Sequence, residues 1–491
     1  MRVTQAQFIP FGEWLPDLPE INNPGAIIAK NVIPEAQGYR PFPSISDYSD
    51  ALADPCIGTF WTVDQNGLIS NFAGDSASLY RLLASSTWDD VSGTSAPYNA
   101  SNWDFTKFGD RVIATSLGDP TQYYDVGVSA IFADLPGAPV AKTCATIRDF
   151  VMLGDIDGLG SNFIQWCGYN NTEAWTPSIR TQADYQELFG RAGSVQRIVP
   201  GEFAVIFCEH SIYRADYVGP PIIFQIDEVE RKRGTPSPNS VVWTGGLTYY
   251  FGWDGFYVFD GQQSQSISHN RVSRWFKENC PPSTWGGIRA TVDRLNRVII
   301  WAFKTSASEP FNNRLLVYNW AADKWAYAEL VTQVIDEFVS PGFSLDALDG
   351  PLPGGIDLDS IPVDSDAYSG GFISVEVFNA SNIAGTLDGP PLVATLDTLE
   401  RAGPDTRRQI TNRVRPVVEG NGATLITLQV GKRNTSQEVP QFTLAKGQNG
   451  LNGDICIREN ARYQRYRLNI ADGFDMAVGV TAHSRLTGGQ R

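Results

Sequence analysis

The sequence predicts an all-β fold built mainly from a repeated unit of short antiparallel strands. Three observations support this prediction. Of the 491 residues, 46 are Gly and 30 are Pro, and 12% are aromatic, a mixture typical of short strands joined by tight turns. An apolar fraction of 42% is large enough to bury a core. Finally, a strand–turn–strand pattern recurs in the middle of the chain, and its second strand carries an aromatic residue.

The N-terminal stretch precedes this repeat and has a different character. Residues 1–50 are rich in prolines and turn-forming residues and lack a regular apolar period. They predict an extended N-terminal arm that wraps another surface. Within this arm, Trp14 is a candidate interface residue because large aromatic side chains are favoured at protein contacts.

The repeat itself determines the predicted architecture. Its marker residues are Tyr80, Tyr124, Trp166, Tyr213, Tyr257 and Tyr318. They are spaced 44, 42, 47, 44 and 61 residues apart, and one four-stranded propeller blade takes about 40 to 50 residues. Six units over residues 51–330 therefore predict a six-bladed β-propeller, with a β-sandwich of similar hairpins as the alternative. The wide last interval contains RVSRWFKENCPP (271–282), which predicts a short helix ended by prolines.

The composition changes after the last repeat. Residues 325–400 contain thirteen Asp or Glu and no Lys or Arg, and residues 331–370 predict an acidic linker or loop rich in Gly, Pro and Asp. Residues 371–491 predict a C-terminal β domain with an antiparallel, sandwich-like arrangement, because short runs there alternate between apolar and polar residues. One such run carries three candidate interface residues, Arg462, Arg465 and Arg467.

Residue types that support metal or cofactor chemistry are few and scattered. The three histidines, His210, His269 and His483, are too far apart in sequence for a paired metal motif. The chain has no GxxxxGK[ST] loop and no GxSxG elbow. Six cysteines without a CxxC pair predict reduced, mostly buried thiols. We therefore expect no catalytic residue, no metal and no cofactor; calcium binding by the acidic loop stays open.

The charge distribution limits the partners. The formal net charge is −16, which disfavours wrapping of nucleic acid, since phosphate contacts need Lys and Arg. One basic run, ERKRG at 230–234, contains three further candidate interface residues, Arg231, Lys232 and Arg233. They either contact DNA or an acidic neighbour, or form a solvated hairpin tip.

Four segments resemble the tail nozzle proteins of short-tailed bacteriophages, also called tail hub, packaged-DNA stabilisation or tail tubular B proteins. They are FGEWLPDLPEINNPGAIIAKNVIPEAQGYRPFPS (11–44), the stretch from IVPGEF to NSVV (198–242), YYFGWDGFYVFDG (249–261) and ARYQRYRLNIADGFDMAVGV (461–480). The resemblance covers the chain in patches, about half of it. Its specificity comes from the order of the patches.

This resemblance implies a β-propeller subunit of the virion tail. It implies a homo-oligomer, most simply a hexameric ring below the portal and the head-to-tail adaptor ring, with a tail fibre or tailspike and a tail needle or plug as neighbours. Such a ring retains the genome and then gives transient, non-specific passage to double-stranded DNA. We expect synthesis in the host bacterial cytoplasm, since the N-terminus lacks a signal peptide and no apolar run is long enough to span a membrane.

A repulsive lumen would let DNA slide, because each lysine or arginine that touches a phosphate adds affinity. We therefore expect the acidic loop to face the channel, through Asp357, Asp359, Asp364 and Asp366.

Two other functions remain open from the sequence. One is a carbohydrate-binding or glycan-cleaving propeller that recognises a host receptor, for which the candidate carboxylates are Asp216, Asp254 and Asp260. Asp at strand ends more often closes a turn through its own backbone. The other is a secreted propeller scaffold, which the missing signal peptide disfavours.

Overall fold

The computed structural model describes residues 5–21, 23–340, 373–403, 407–420, 424–471 and 473–486. Five strands precede the repeats. They are β1 (Gln5–Pro10), β2 (Ile28–Lys30), β3 (Val32–Glu35), β4 (Gly38–Pro41) and β5 (Ser46–Ala51). Prolines in this stretch remove backbone donors, so these strands are short. Strands β3 and β4 pair with each other, and the other three pair only with strands from distant parts of the chain.

Four-stranded antiparallel sheets follow in chain order, each one a propeller blade. Blades one to three consist of β6 (Gly58–Val63), β7 (Ile69–Gly74), β8 (Leu79–Leu82) and β9 (Trp88–Asp90); β10 (Asp104–Phe108), β11 (Arg111–Thr115), β12 (Gln122–Asp125) and β13 (Ala133–Asp134); and β14 (Ala141–Ile147), β15 (Phe150–Ile156), β16 (Gly160–Trp166) and β17 (Asp184–Glu187). In each blade the first strand lies nearest the propeller axis.

Blades four to six continue the pattern. They consist of β18 (Val195–Val199), β19 (Ala204–Cys208), β20 (Ser211–Gly219) and β21 (Ile223–Arg231); β22 (Val242–Thr244), β23 (Leu247–Gly252), β24 (Gly255–Phe259) and β25 (Ser264–Ser266); and β26 (Arg289–Asp293), β27 (Val298–Phe303), β28 (Arg314–Asn319) and β29 (Lys324–Ala328). The predicted helix is confirmed as α1 (Ser273–Asn279), between blades five and six. It ends before Pro281 and Pro282, and a 3-10 turn (Pro282–Gly287) follows.

A seventh blade closes the ring. Its strands are β30 (Ile335–Val339), β31 (Ile373–Phe378), β32 (Ile383–Thr386) and the N-terminal β5. The outer strand therefore comes from the beginning of the chain, and Thr386 pairs with Ser46. The first strands of neighbouring blades contact each other on both sides of this blade, so the ring is complete.

The predicted all-β propeller is confirmed, but it has seven blades instead of six. All six marker aromatics lie on the third strand of their blades, as the repeat requires. The third strand of the seventh blade, β32, reads IAGT and carries no aromatic marker. In addition, this blade is assembled from distant segments, so it has no continuous repeat in the sequence. It extends the propeller past residue 330 into the stretch predicted as a linker.

The remaining strands form the C-terminal domain. They are β33 (Ala394–Asp397), β34 (Arg401–Ala402), β35 (Gln409–Gly420), β36 (Leu425–Arg433), β37 (Gln441–Phe442), β38 (Lys446–Gly447), β39 (Ile455–Ala461), β40 (Tyr463–Ala471) and β41 (Phe474–Leu486). One sheet has the order β3-β4-β41-β35-β39, with β1 also paired to β41. The other continues β2-β33-β40-β36-β37. Buried residues of both sheets share one core, which confirms the sandwich-like arrangement.

The propeller and the sandwich are joined through the N-terminal arm. Strand β2 pairs with β33 on one side and meets the outer strand β29 of blade six on the other, at Lys30 and Tyr327. One sheet therefore runs from blade six into the sandwich. The arm that was expected to wrap another surface lies, in its described part, within its own subunit.

The cysteines follow the sequence prediction. All six are free thiols, and every one except Cys456 is buried. Burial raises the pKa of the Cys56 thiol to about 12, so this group stays protonated and unreactive near neutral pH.

Candidate functional site

The axis of the propeller contains two adjoining cavities. One has a volume of about 240 Å³ and is lined by first-strand residues of several blades, such as Asp104, Arg289 and Asp336. The second has a volume of about 550 Å³ and lies along the same axis, because both cavities are lined by Phe105 and Arg197. Together they form the central channel, a place where propellers commonly carry functional groups.

Charged side chains cross this channel from one blade to another. Arg197 of blade four donates from Nη1 to Asp104 Oδ1 of blade two at 2.9 Å. The other oxygen, Asp104 Oδ2, accepts hydrogen bonds from Thr143 Oγ1 at 2.6 Å and from the backbone N–H of Cys144 at 3.1 Å. Since Asp104 is 3% exposed and fully paired, this ion pair ties blades two, three and four together.

A second arginine crosses the channel from blade six. Arg289 Nη2 donates to the backbone carbonyl of Ile57 at 2.6 Å and to Asn102 Oδ1 at 3.2 Å. Asn239 Nδ2 donates to the same Asn102 oxygen at 2.7 Å. Removal of the guanidinium from bulk water lowers the pKa of Arg289. These hydrogen bonds and the Arg197–Asp104 ion pair narrow the central channel to spaces that admit water and small groups.

Two carboxyl groups of the seventh blade complete this region. Asp336 lines the channel, and burial raises its pKa to about 6, against the opposing effect of Arg197. Glu376 is its partner on the next strand, in direct cross-strand register. Burial raises the pKa of Glu376 to about 8, and Asp336 adds to the shift, while a hydrogen bond from the Tyr48 hydroxyl opposes it.

Sequence reasoning missed these channel residues. Their only signal is a charged residue inside the first strand of a blade, as in DFTKF, VQRIV, RATVD and IDEFV. The four charges come together only when the ring closes, which no single repeat reveals.

Among the described residues, no group of three His, Cys, Asp or Glu side chains is placed to hold a metal ion. None of the helices in the described ranges has the length and apolarity needed to cross a membrane.

The predicted acidic loop cannot be assigned to this channel. Asp357, Asp359, Asp364 and Asp366 lie outside the described residues. The described residues nearest to that segment on either side are Ser340 and Ile373.

Three of the predicted interface residues lie inside the subunit instead. Trp14 is 1% exposed and packs against Trp275, with ring centroids 4.8 Å apart. Arg465 is 6% exposed and pairs with Glu20 of the arm at 3.0 Å. Arg467 forms two hydrogen bonds with the buried Asp397, of 2.7 and 2.9 Å. Trp14 therefore holds the arm against α1, Arg465 holds the sandwich to the arm, and Arg467 pairs within the sandwich.

The other basic candidates are more accessible. Arg462 is half-buried. Arg231 ends β21, Lys232 and Arg233 follow it, and all three are exposed. Arg233 lies over the ring of Tyr257, with its guanidinium carbon 4.7 Å from the centroid.

The candidate catalytic carboxylates do not form a pair. Asp254 lies in the turn before β24 and Asp260 directly after it. A five-residue strand spans about 17 Å, whereas glycosidase carboxylates lie about 5 to 9.5 Å apart. Asp260 accepts hydrogen bonds from the backbone of Gln262 and Gln263, which lower its pKa. Asp216 pairs with Arg214 at 2.8 Å.

Comparisons with known proteins add little to this description. No family model and no curated protein matches the chain. It is similar to the C-terminal WD40 domain of Sif2, with 9% identity over 79% of this chain and 98% of that one, and a TM-score of 0.38. It is also similar to YCF48 bound to D1 peptide, with 9% identity over 70% and 99% of the two chains, and a TM-score of 0.38. Scores this low carry no argument, so the propeller assignment rests on the strand pairing.

Proposed function

We propose that this chain is a non-enzymatic structural subunit of a bacteriophage tail, the tail nozzle or hub. Six copies form a ring below the portal and the adaptor ring. The ring retains the packaged double-stranded DNA and passes it during ejection, next to a tail fibre or tailspike and a needle or plug. The subunit is made in the host bacterial cytoplasm and acts in the virion.

The observation that carries the proposal is that the first and last segments that resemble tail nozzle proteins pack against the same core. Segment 11–44 supplies Trp14 and Tyr39 to a core that also contains Tyr466 and Val480 of segment 461–480. Two patches from opposite ends of the chain thus build one joint between the propeller and the sandwich. A shared joint gives a physical reason for both patches to resemble the same family.

The proposed conduit runs between subunits and not through a propeller. Side chains of blades two, four and six, and of the connections that precede blades two and five, bridge the propeller axis. Double-stranded DNA has a major groove that is by itself about 12 Å wide, so the duplex does not fit through this channel. A ring of subunits can enclose a wider lumen, and the net charge of −16 is compatible with a lumen that repels phosphate.

Negative-stain electron microscopy tests this function. The purified protein is imaged alone and after mixing with the portal–adaptor complex encoded beside it. We expect rings with six-fold symmetry and a central hole, or new density below the adaptor. Portal complexes without the adaptor are the matched control and should gain no density. Isolated subunits under every condition would contradict the proposal.

A second candidate function is carbohydrate binding, and one observation favours it. Trp253 is 44% exposed and lies at the edge of a cavity of about 700 Å³. Exposed aromatic rings can stack on the apolar face of a sugar. Glycan cleavage, in contrast, loses support because Asp254 and Asp260 lie at opposite ends of β24.

A further inference from the structure

A cleft lies between blades four and five, on the face that carries the turns between the second and third strands of the blades. We call it the Trp253 cleft; its lining residues include Arg191, His210, Glu228, Arg231, Lys232 and Trp253. His210 and Trp253 come from the turns between the second and third strands of the two blades. Arg191 precedes blade four, Arg231 ends it and Lys232 follows it. Antiparallel connectivity brings all these connections to the same face.

The indole of Trp253 is held in a fixed orientation. Its Nε1 donates a hydrogen bond to the backbone carbonyl of Glu209 at 2.7 Å. The rings of His210 and Trp285 lie 5.4 and 6.0 Å from it, centroid to centroid. Because the N–H group is already bonded, the indole offers a ligand an apolar face instead of a hydrogen-bond donor.

The cleft is positively charged, although the chain carries a net charge of −16. The carboxylate that lines it, Glu228, already accepts hydrogen bonds from Ser211 Oγ at 2.8 Å and from Arg231 Nε at 2.7 Å. Within the described ranges, Arg191 and Lys232 form no ion pair, and both are exposed. The Arg231 side chain is 81% exposed, which leaves the rest of its guanidinium open to a second partner.

We propose that the Trp253 cleft binds a sugar residue that carries a carboxylate, as in an acidic polysaccharide. The indole stacks on the sugar ring, and Arg191, Arg231 and Lys232 bind the carboxylate. The cleft is large enough for a short oligosaccharide at about 700 Å³. A long phosphate chain is a poorer match, because its affinity depends on an extended track of cations.

This inference rests on the second proposed function, carbohydrate binding, and is independent of ring assembly. Isothermal titration calorimetry with the full chain tests it, with trigalacturonate as the acidic probe and maltotriose as the neutral one. We expect trigalacturonate to bind more tightly than maltotriose, and its affinity to fall as salt is added.

Two variants locate the binding site. Arg191→Gln and Lys232→Gln should each weaken trigalacturonate binding about two- to fivefold, since an exposed charge pair contributes up to about 1 kcal/mol. Both side chains are exposed and outside ion pairs, so the fold tolerates these changes. Arg180→Gln is the matched control, because Arg180 is an exposed arginine on the opposite face, and it should leave the affinity unchanged.

The remaining outcomes separate the two claims. Equal affinity for both trisaccharides would overturn the acidic preference and leave carbohydrate binding in place. Failure of both to bind would refute both claims. Tighter binding of adenosine monophosphate than of trigalacturonate would assign the cleft to nucleotides and contradict the inference.

Discussion

Asp336 and Glu376 face each other across β30 and β31, so two carboxyl groups share one poorly hydrated space. Burial raises the pKa of Glu376 to about 8. As the pH rises from about 5 to about 8, the unfolded chain has already released this proton while the folded chain retains it, so the free energy of unfolding falls. Glu376→Gln keeps a hydrogen-bond acceptor for Tyr48 and has no proton to release, so its free energy of unfolding should not fall in this way. Between pH about 5 and about 8, the free energy of unfolding of this variant should therefore rise by about 3 kcal/mol relative to that of the natural chain.

Urea unfolding at several pH values measures this difference. Glu419→Gln is the control, because Glu419 is an exposed carboxylate at the end of β35. Its stability should follow that of the natural chain at every pH. If the free energies of unfolding of Glu376→Gln and the natural chain differed by the same amount at every pH, Glu376 would not be protonated in the folded state.

At the scale of elements, the seventh blade closes through a close approach of β32 to β5. A Cβ atom at Gly385 would lie 2.4 Å from Ile45 Cγ2 and 2.7 Å from the backbone oxygen of Ser46. Gly385→Ala should therefore push β5 away and cost about 1 to 3 kcal/mol. Hydrogen exchange should become faster in β5.

Gly286→Ala is the control, because an added Cβ at this site meets no atom within 4 Å, and it should leave the exchange of β5 unchanged. Equal protection of β5 in both variants would argue against closure of the seventh blade by β5.

At the scale of the whole molecule, the propeller and the sandwich behave as one body because a single sheet crosses the joint at β2. Trp14 fills this joint between Trp275 and Tyr327. Trp14→Ala should cost about 3 to 5 kcal/mol and speed hydrogen exchange in both β29 and β41. Trp243→Ala, which truncates a 46% exposed indole, is the control and should have little effect. Faster exchange in the sandwich alone would mean that the two parts are not coupled.

The sequence by itself determined the features that depend on neighbouring residues. Blade strands, turns and the aromatic marker on each third strand recur at a regular period, so six of the seven blades were predictable. The short helix was also predictable, because Pro281 and Pro282 mark its end locally in the sequence. The sandwich-like domain followed from the alternation of apolar residues along strands such as β36 and β40.

The tertiary structure decided everything that depends on distant segments meeting. The seventh blade needs β5 beside β32, and the channel needs Asp104, Arg197 and Arg289 on one axis. Trp14 looked like an interface residue because the sequence cannot show that α1 and β29 bury it. Burial and charge pairing are properties of closed packing, and closure around a ring is a long-range event that no local pattern encodes.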